Sequence, residues 1–193
     1  MGTVKSLLLG MCFVLGACTS QTSTVQTTEK GTQWEWQNGT IVVKTPERPA
    51  GQKSVLGLTT PKLEAVRVGF VGLGMRGPGA VERFTYIPGT QVVALCDYEE
   101  ARADKCQELL KKASMPKAAV YSGDKGYEEL CKRDDIDLVY IAADWLHHFP
   151  VAKCALENGK NVAIEVPSAM NLQECWDLIN LSESTRKHCF ILE

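Results

Sequence analysis

Val66-Arg67-Val68-Gly69-Phe70-Val71-Gly72-Leu73-Gly74-Met75-Arg76-Gly77 is the stretch on which the reading of this chain turns. Residues 66–71 form a short apolar run, and it passes directly into Gly-x-Gly-x-x-Gly. Alone, that glycine spacing is a weak signal. Here it follows a strand pattern and precedes a helix start at 78–84, the context that gives it meaning. Gly72 permits the tight turn, Gly74 lets backbone approach a pyrophosphate, and Gly77 lets the helix pack on the strand. The N–H groups and partial positive charge of the helix start suit phosphate.

Downstream, residues 91–96 (QVVALC) read as a second strand, ended by Asp97, twenty residues beyond Gly77. That is where a carboxylate accepts hydrogen bonds from the adenosine ribose hydroxyls. A 2′-phosphate there meets like charge, so NAD is expected over NADP. Asp97 also suits the cap of the next helix, and the two roles are compatible. Residues 99–113 have helical spacing, with Ala103, Cys106, Leu109 and Leu110 on one face. A weak strand (119–121), a short helix (127–133) and an apolar strand (137–142) follow. A helix at 151–158 is stopped by Asn158-Gly159. Residues 161–165 are the fifth strand. Asn171 caps a helix running to Lys187, with Leu172, Cys175, Leu178, Ile179 and Ser182 expected inward, and 189–192 start a sixth strand. Strands alternating with helices predict an α/β fold, a doubly wound parallel sheet of the dinucleotide-binding kind over residues 62–193.

Upstream, residues 1–17 carry one lysine, a short apolar core and small residues, the order of an export signal. Leu15-Gly16-Ala17-Cys18 is similar to a bacterial lipobox, in which the cysteine is lipid-modified and becomes the new N-terminus. An ordinary signal peptide is the alternative. The expectation is an exported lipoprotein on the periplasmic face or cell surface, palmitate-type acyl chains holding it to the membrane without crossing it. Residues 18–61 read as a tether and N-terminal extension. Residues 19–33 are rich in Ser, Thr and Gln, and Pro46, Pro49 and Pro61 interrupt the rest. Asn38-Gly39 fits a hairpin turn. Trp34 and Trp36 can pack across a strand or stack on sugar; packing is the better reading.

Of 193 residues, 45% are hydrophobic and 23% charged, a globular composition. Lys+Arg 21 against Asp+Glu 23 leaves a net −2 and removes the basic footprint of a nucleic-acid binder. The eight cysteines include no Cys-x-x-Cys pair, so zinc ribbons and redox dithiols lose support and no metal is expected. The six from Cys96 to Cys189 read as packed thiols, although export would permit bridges.

Ala142-Ala143-Asp144-Trp145-Leu146-His147-His148, then Gly159-Lys160, then Glu165-Val166-Pro167 resemble the Gfo/Idh/MocA family of sugar-handling NAD(P) proteins. With the glycine loop and Cys96-Asp97, the match is closer to glycoside hydrolase family 109, whose members include NAD-dependent α-N-acetylgalactosaminidases. The resemblance implies that Met75 and Arg76 contact the NAD phosphates and Asp97 the ribose. It places Trp145, Leu146, His147 and His148 along the cofactor, with Glu165 and Val166 near the nicotinamide. The family's oxidoreductases usually carry Glu-Lys-Pro and Thr-Pro where this chain has Glu165-Val166-Pro167 and Ala143-Asp144. Valine cannot move a proton, which argues for the glycosidase branch. The implied route oxidises sugar C3, eliminates the aglycone, adds water and returns the hydride, one of the NAD-dependent exceptions to two-carboxylate hydrolysis. The partner implied is a glycan or glycoside with terminal α-linked N-acetylgalactosamine; a homo-oligomer is left open. Most acid–base groups are expected beyond Glu193, with Glu165 and His148 as candidate contributors here. The chain alone is expected to bind NAD weakly without cleaving sugar. Two other readings remain: a sugar oxidoreductase, and a non-catalytic lipoprotein binding glycans through Trp34 and Trp36.

Overall fold

The computed structural model describes residues 26–27 and 33–192. The export signal, Cys18 and most of the tether at 19–33 lie outside the described residues. The chain divides into two compact units, Met1–Lys44 and Thr45–Glu193.

In the first unit, β1 (Gln26–Thr27), β2 (Gln33–Gln37) and β3 (Thr40–Val43) form an antiparallel sheet in that order. Gln37 pairs with Thr40 around Asn38 (φ 50°) and Gly39 (φ 79°), two positive φ values in succession, as a type I′ turn requires. Trp34 opposes Val43 and Trp36 opposes Ile41, so the strand period of two gathers all four on one face. Trp36 remains exposed.

The second unit contains β4 (Val66–Val71), α1 (Gly77–Phe84), β5 (Thr90–Asp97), α2 (Glu100–Lys112), β6 (Ala119–Ser122), α3 (Gly126–Cys131), β7 (Leu138–Ile141), α4 (Trp145–Glu157), β8 (Asn161–Ile164), α5 (Leu172–Thr185) and β9 (Cys189–Ile191). Its six strands are all parallel, in the order β6-β5-β4-β7-β8-β9. The order reverses at β4, and ligands of open α/β sheets bind in the crevice that such a reversal leaves at the strand C-termini.

Period-two alternation gives each strand two apolar faces. Val68 and Phe70 of β4, Tyr140 of β7 and Ala163 of β8 pack with Ala80, Val81, Ala103, Cys106 and Leu110 of α1 and α2. Val71, Val139, Ile141, Val162 and Ile164 pack with residues of α3, α4 and α5. The Phe70 ring stacks on Tyr140 at 5.0 Å, and Phe84 meets Phe70 edge-on at 5.2 Å, which clamps the end of α1 to the sheet. A Cβ on Gly69 would meet Ile136 Cδ1 at 2.9 Å and Leu130 at 3.0 Å, so the bare backbone is what lets α3 and its following loop approach β4.

Three differences from the sequence expectation have physical causes. The helix expected at 151–158 begins six residues earlier, at Trp145, and carries Pro150 inside it. The proline removes one backbone bond, but buried His148, Val151, Ala152, Ala155 and Leu156 hold the helix through it. On α5, Leu178 and Ser182 are buried as expected, whereas Leu172, Cys175 and Ile179 are exposed. The buried stripe runs instead through Glu183, whose carboxylate accepts from Arg48 Nε (2.8 Å), Arg48 Nη2 (3.0 Å) and Gln52 Nε2 (3.0 Å). That contact, with Arg186 donating to the carbonyls of Lys53 and Ser54, fastens the segment before β4 onto α5. The second unit accordingly starts at Thr45 rather than at the sequence boundary of 62.

Candidate functional site

The glycine loop lies at the C-terminal end of β4, and its three glycines do different work. Gly72 has φ +90°, and a Cβ there would stand 2.3 Å from Ala143 N. The turn therefore presses against the connection between β7 and α4. A Cβ on Gly77 would stand 2.1 Å from the Gly72 carbonyl oxygen, so α1 starts against the turn only without a side chain. At Gly74 a Cβ would meet only the Arg102 guanidinium, at 3.4 Å. Its bare backbone borders the cleft described below. Arg76 occupies the cap position of α1, and Met75 is almost wholly exposed.

Asp97 ends β5 and is buried. One carboxylate oxygen accepts the Leu73 N–H at 2.6 Å, tying β5 to the glycine loop, and the other accepts the Glu99 N–H at 3.0 Å. An ionised carboxylate offers about four acceptor positions, so capacity remains for a ribose hydroxyl. Arg102 Nη1 reaches Asp97 Oδ1 at 3.5 Å, and its Nη2 donates to Glu99 at 2.9 Å.

Across the cleft, Asp144 caps α4. Its Oδ1 accepts the Leu146 N–H at 3.0 Å, and its Oδ2 lies 2.6 Å from His147 Nδ1. Burial opposes ionisation of Asp144, but the His147 contact and the Leu146 and His147 N–H groups outweigh it and hold the carboxyl below its ordinary range. A carboxylate only accepts, so His147 Nδ1 carries the proton, and Nε2 is the basic position of the neutral ring. His148 behaves differently. It is buried, with Nδ1 2.7 Å from the Pro167 carbonyl and Nε2 2.9 Å from that of Ala143. Both ring nitrogens are engaged by backbone, and the ring bridges the chain after β7 to the chain after β8. Of the two histidines, His147 is the one with an uncommitted nitrogen at the cleft. Glu165 accepts from the Tyr140 hydroxyl at 3.0 Å, while Lys160 donates to the Arg133 carbonyl. Val166 follows Glu165 and is exposed.

These groups line one cleft of about 1110 Å³. It brings together every cofactor residue expected from sequence except Gly77, which is buried beneath the loop. Met75, Trp145, Leu146 and Val166 are exposed apolar residues around this one opening, the surface an organic ligand would cover. Tyr98, Arg102, Asp124, Tyr127 and Asp144 also line it and were not singled out from sequence as site residues. Arg102 had a local signal, a cation in the first turn of the helix after the carboxylate expected at the ribose. The bare Gly74 edge, the Asp97 oxygens and the apolar rim fit a dinucleotide: the loop and Arg76 for phosphates, Asp97 for ribose, the α4 start and Val166 for the far end. Among the described residues, no three His, Cys, Asp or Glu side chains are grouped to hold a metal, and no helix is long and apolar enough to cross a membrane.

Fold and cleft together define an NAD-binding protein of the Rossmann type. A family model described as "Oxidoreductase family, NAD-binding Rossmann fold" matches residues 66–192, and the chain belongs to that Gfo/Idh/MocA family. It is 80% identical to "Glycosyl hydrolase family 109 protein 4" of Phocaeicola vulgatus, a match covering all of this chain and 38% of that protein. It is 57% identical to "Glycosyl hydrolase family 109 protein 1" of Bacteroides thetaiotaomicron, over 98% of this chain and 40% of that one. The chain thus spans less than half the length of these relatives. Among solved structures, biliverdin reductase from Synechocystis, in complex with biliverdin and NADP+, is 27% identical with TM-score 0.56, covering 65% of this chain and 37% of that one. Myo-inositol dehydrogenase from Lactobacillus casei, in complex with NAD(H) and myo-inositol, shares the fold at TM-score 0.58 and 24% identity, covering 66% and 36%.

Proposed function

We propose that this chain is the cofactor-binding part of an NAD-dependent exo-glycosidase acting on terminal α-linked N-acetylgalactosamine, exported and anchored by a lipid on Cys18. The observation that carries the reading is Val166. It lines the cleft immediately after Glu165, where the family's oxidoreductases usually carry a proton-moving lysine. The names of the relatives support the glycosidase reading, and Leu15-Gly16-Ala17-Cys18 supports the anchor. When bound, NAD would supply reversible hydride acceptance at sugar C3; the C2 proton acidified in that way is what would let the C1 aglycone leave by elimination before water adds.

The chain's own residues position and shield. The Gly74 backbone, Met75 and Arg76 hold phosphates. Asp97 accepts ribose hydroxyls while fixing the loop through Leu73. Trp145, Leu146 and Val166 exclude water from the far end of the cleft. His147, oriented by Asp144, holds or moves a proton at Nε2, and Glu165 is kept in place by Tyr140. His148 sets the spacing of the two connections that carry these groups.

The test runs hydrolysis in D₂O with a protein of the relatives' full length that carries these residues. Deuterium at C2 of the released sugar is the expected result. Release with C2 still protonated points to direct displacement and overturns the route. Labelled palmitate that a Cys18→Ala variant retains overturns the anchor.

A further inference from the structure

The adenosine end of the cleft holds more charge than one ribose-binding carboxylate needs. Asp97 and Glu99 flank the end of β5, and Arg102 leans back from the first turn of α2 to touch both. Its Nη2 donates to Glu99 Oε1 at 2.9 Å, and its Nη1 lies 3.5 Å from Asp97 Oδ1. The same Nη1 lies 3.4 Å from the point where a Cβ on Gly74 would be. The guanidinium therefore spans the gap between the ribose carboxylate and the phosphate loop. Two carboxylates against one guanidinium leave this corner net negative.

The two carboxylates are not equivalent. Asp97 is buried and holds the Leu73 and Glu99 N–H groups, so it belongs to the turn itself. The Arg102–Glu99 pair is open to water on both sides, with side chains 42% and 57% exposed. Exposed pairs of this kind contribute little to stability. An arginine held so weakly is easily handed to a stronger partner, and a phosphate is one, because the planar guanidinium fork matches its oxygens. A nearby arginine is also the usual means by which Rossmann sites accommodate a 2′-phosphate. The element for accepting NADP is present here, and it is occupied.

We propose that Glu99 is a specificity-determining residue: by engaging Arg102 it keeps the adenosine end selective for a 2′-hydroxyl, and without it Arg102 accepts a 2′-phosphate. The proposal rests on the dinucleotide reading of the cleft. It assigns selection against NADP to Glu99 acting through Arg102, in addition to the direct repulsion from Asp97. Arg76 and Asp124 line the same cleft, and neither has a hydrogen bond to the Arg102–Glu99 pair.

A double-mutant cycle on the full chain tests this, read as equilibrium binding of NAD, NADP, 5′-AMP and 2′,5′-ADP by calorimetry. The two mononucleotides isolate the adenosine end. The unsubstituted chain is expected to prefer NAD to NADP and 5′-AMP to 2′,5′-ADP. Glu99→Gln is expected to tighten NADP and 2′,5′-ADP about tenfold, the scale of one partly exposed charge-assisted hydrogen bond. NAD affinity is expected to stay within about threefold, since a net exposed pair is worth little. In Glu99→Gln/Arg102→Ala the gain should vanish, because the acceptor of the phosphate is gone. A gain that survives without Arg102 would mean only the general field of Glu99 matters, and the proposal fails. No gain in Glu99→Gln, with NAD still bound, overturns it equally and leaves the cofactor reading intact. If the unsubstituted chain binds none of the four, the cofactor reading itself fails and the proposal falls with it. Urea midpoints equal to that of the unsubstituted chain show that each variant is folded.

Discussion

Replacing Gly74 and Gly77 by alanine, one at a time, separates folding from binding within a single loop. At Gly77 the new methyl lies 2.1 Å from the Gly72 carbonyl oxygen, where even a close C···O contact needs about 3.3 Å. Helix α1 must retreat by about 1 Å or the turn must open. Overpacking of that sort costs about 1–3 kcal/mol or more, and the better helix propensity of alanine returns at most about 1 kcal/mol. A net loss near 2 kcal/mol corresponds to a Tm lowered by about 4–8 °C for a chain of this size. At Gly74 the nearest atom is a flexible guanidinium at 3.4 Å, an ordinary contact, and φ is not positive. Alanine there is expected to be neutral or to stabilise by about 0.4–1 kcal/mol through the unfolded chain. It also sets a methyl on the backbone edge that faces the cleft, so NAD affinity should fall at least about tenfold, about 1.4 kcal/mol. Thermal unfolding and NAD titration of the two variants measure both quantities. A Gly77→Ala chain as stable as the parent, or a Gly74→Ala chain that binds NAD as well as the parent, would refute the reasoning.

Three further predictions follow from the charges and thiols. Hydrogen bonding from Arg67 (2.7 and 2.9 Å) holds the Asp137 carboxyl below its ordinary range despite opposing burial. Its stabilisation is therefore present above the unfolded carboxyl value of about 3.9 and is lost as pH falls through the lower folded value. The urea midpoint of Asp137→Asn should be lower at pH 7 and fall less on acidification than the parent's; parallel pH profiles would contradict this. Burial lifts the Cys96 thiol to about 12 and those of Cys106 and Cys189 to about 11, whereas Cys175 is exposed. Peptide-mapped iodoacetamide labelling of the native chain at pH 8 should modify Cys175 well before Cys96 and Cys106, which stay unmodified until denaturant is added; early labelling of Cys96 would count against the core. Finally, Asp144→Asn retains a helix-capping side chain but loses the acceptor that fixes the His147 ring. Nitrogen-15 spectra should show the Nδ1–H tautomer in the parent and a mixture in the variant; unchanged spectra would show that Asp144 does not orient the ring.

Much of this architecture is legible from local chemistry. The strand at 66–71, the hairpin turn at Asn38-Gly39, the Asn171 cap and the αL glycine after Asn158 each follow from a few adjacent residues. The parts that were not legible depend on tertiary contact. Pro150 looks like a helix boundary in sequence, and only the buried face of α4 shows why the helix passes through it. The inward face of α5 turns on Glu183, a residue no hydrophobic pattern would bury, because its partners Arg48 and Gln52 come from more than a hundred residues away. The site divides the same way. The glycine loop and Asp97 sit at motif spacings, whereas the local signal of Arg102 does not show that its side chain turns back over the loop. The difference between the adjacent histidines 147 and 148 is set by helix phase, one facing Asp144 and the other the backbone of two connections.

The central claim is glycoside cleavage with an NAD that is recycled in place. The most direct measurement incubates a protein of the relatives' full length, carrying this chain, with a chromogenic α-N-acetylgalactosaminide and no added NAD, and follows aglycone release. Steady release over many turnovers, with no net NADH formed, is the result expected. No release, together with NADH accumulating when NAD and free sugar are supplied, would contradict the claim and return the protein to sugar oxidation.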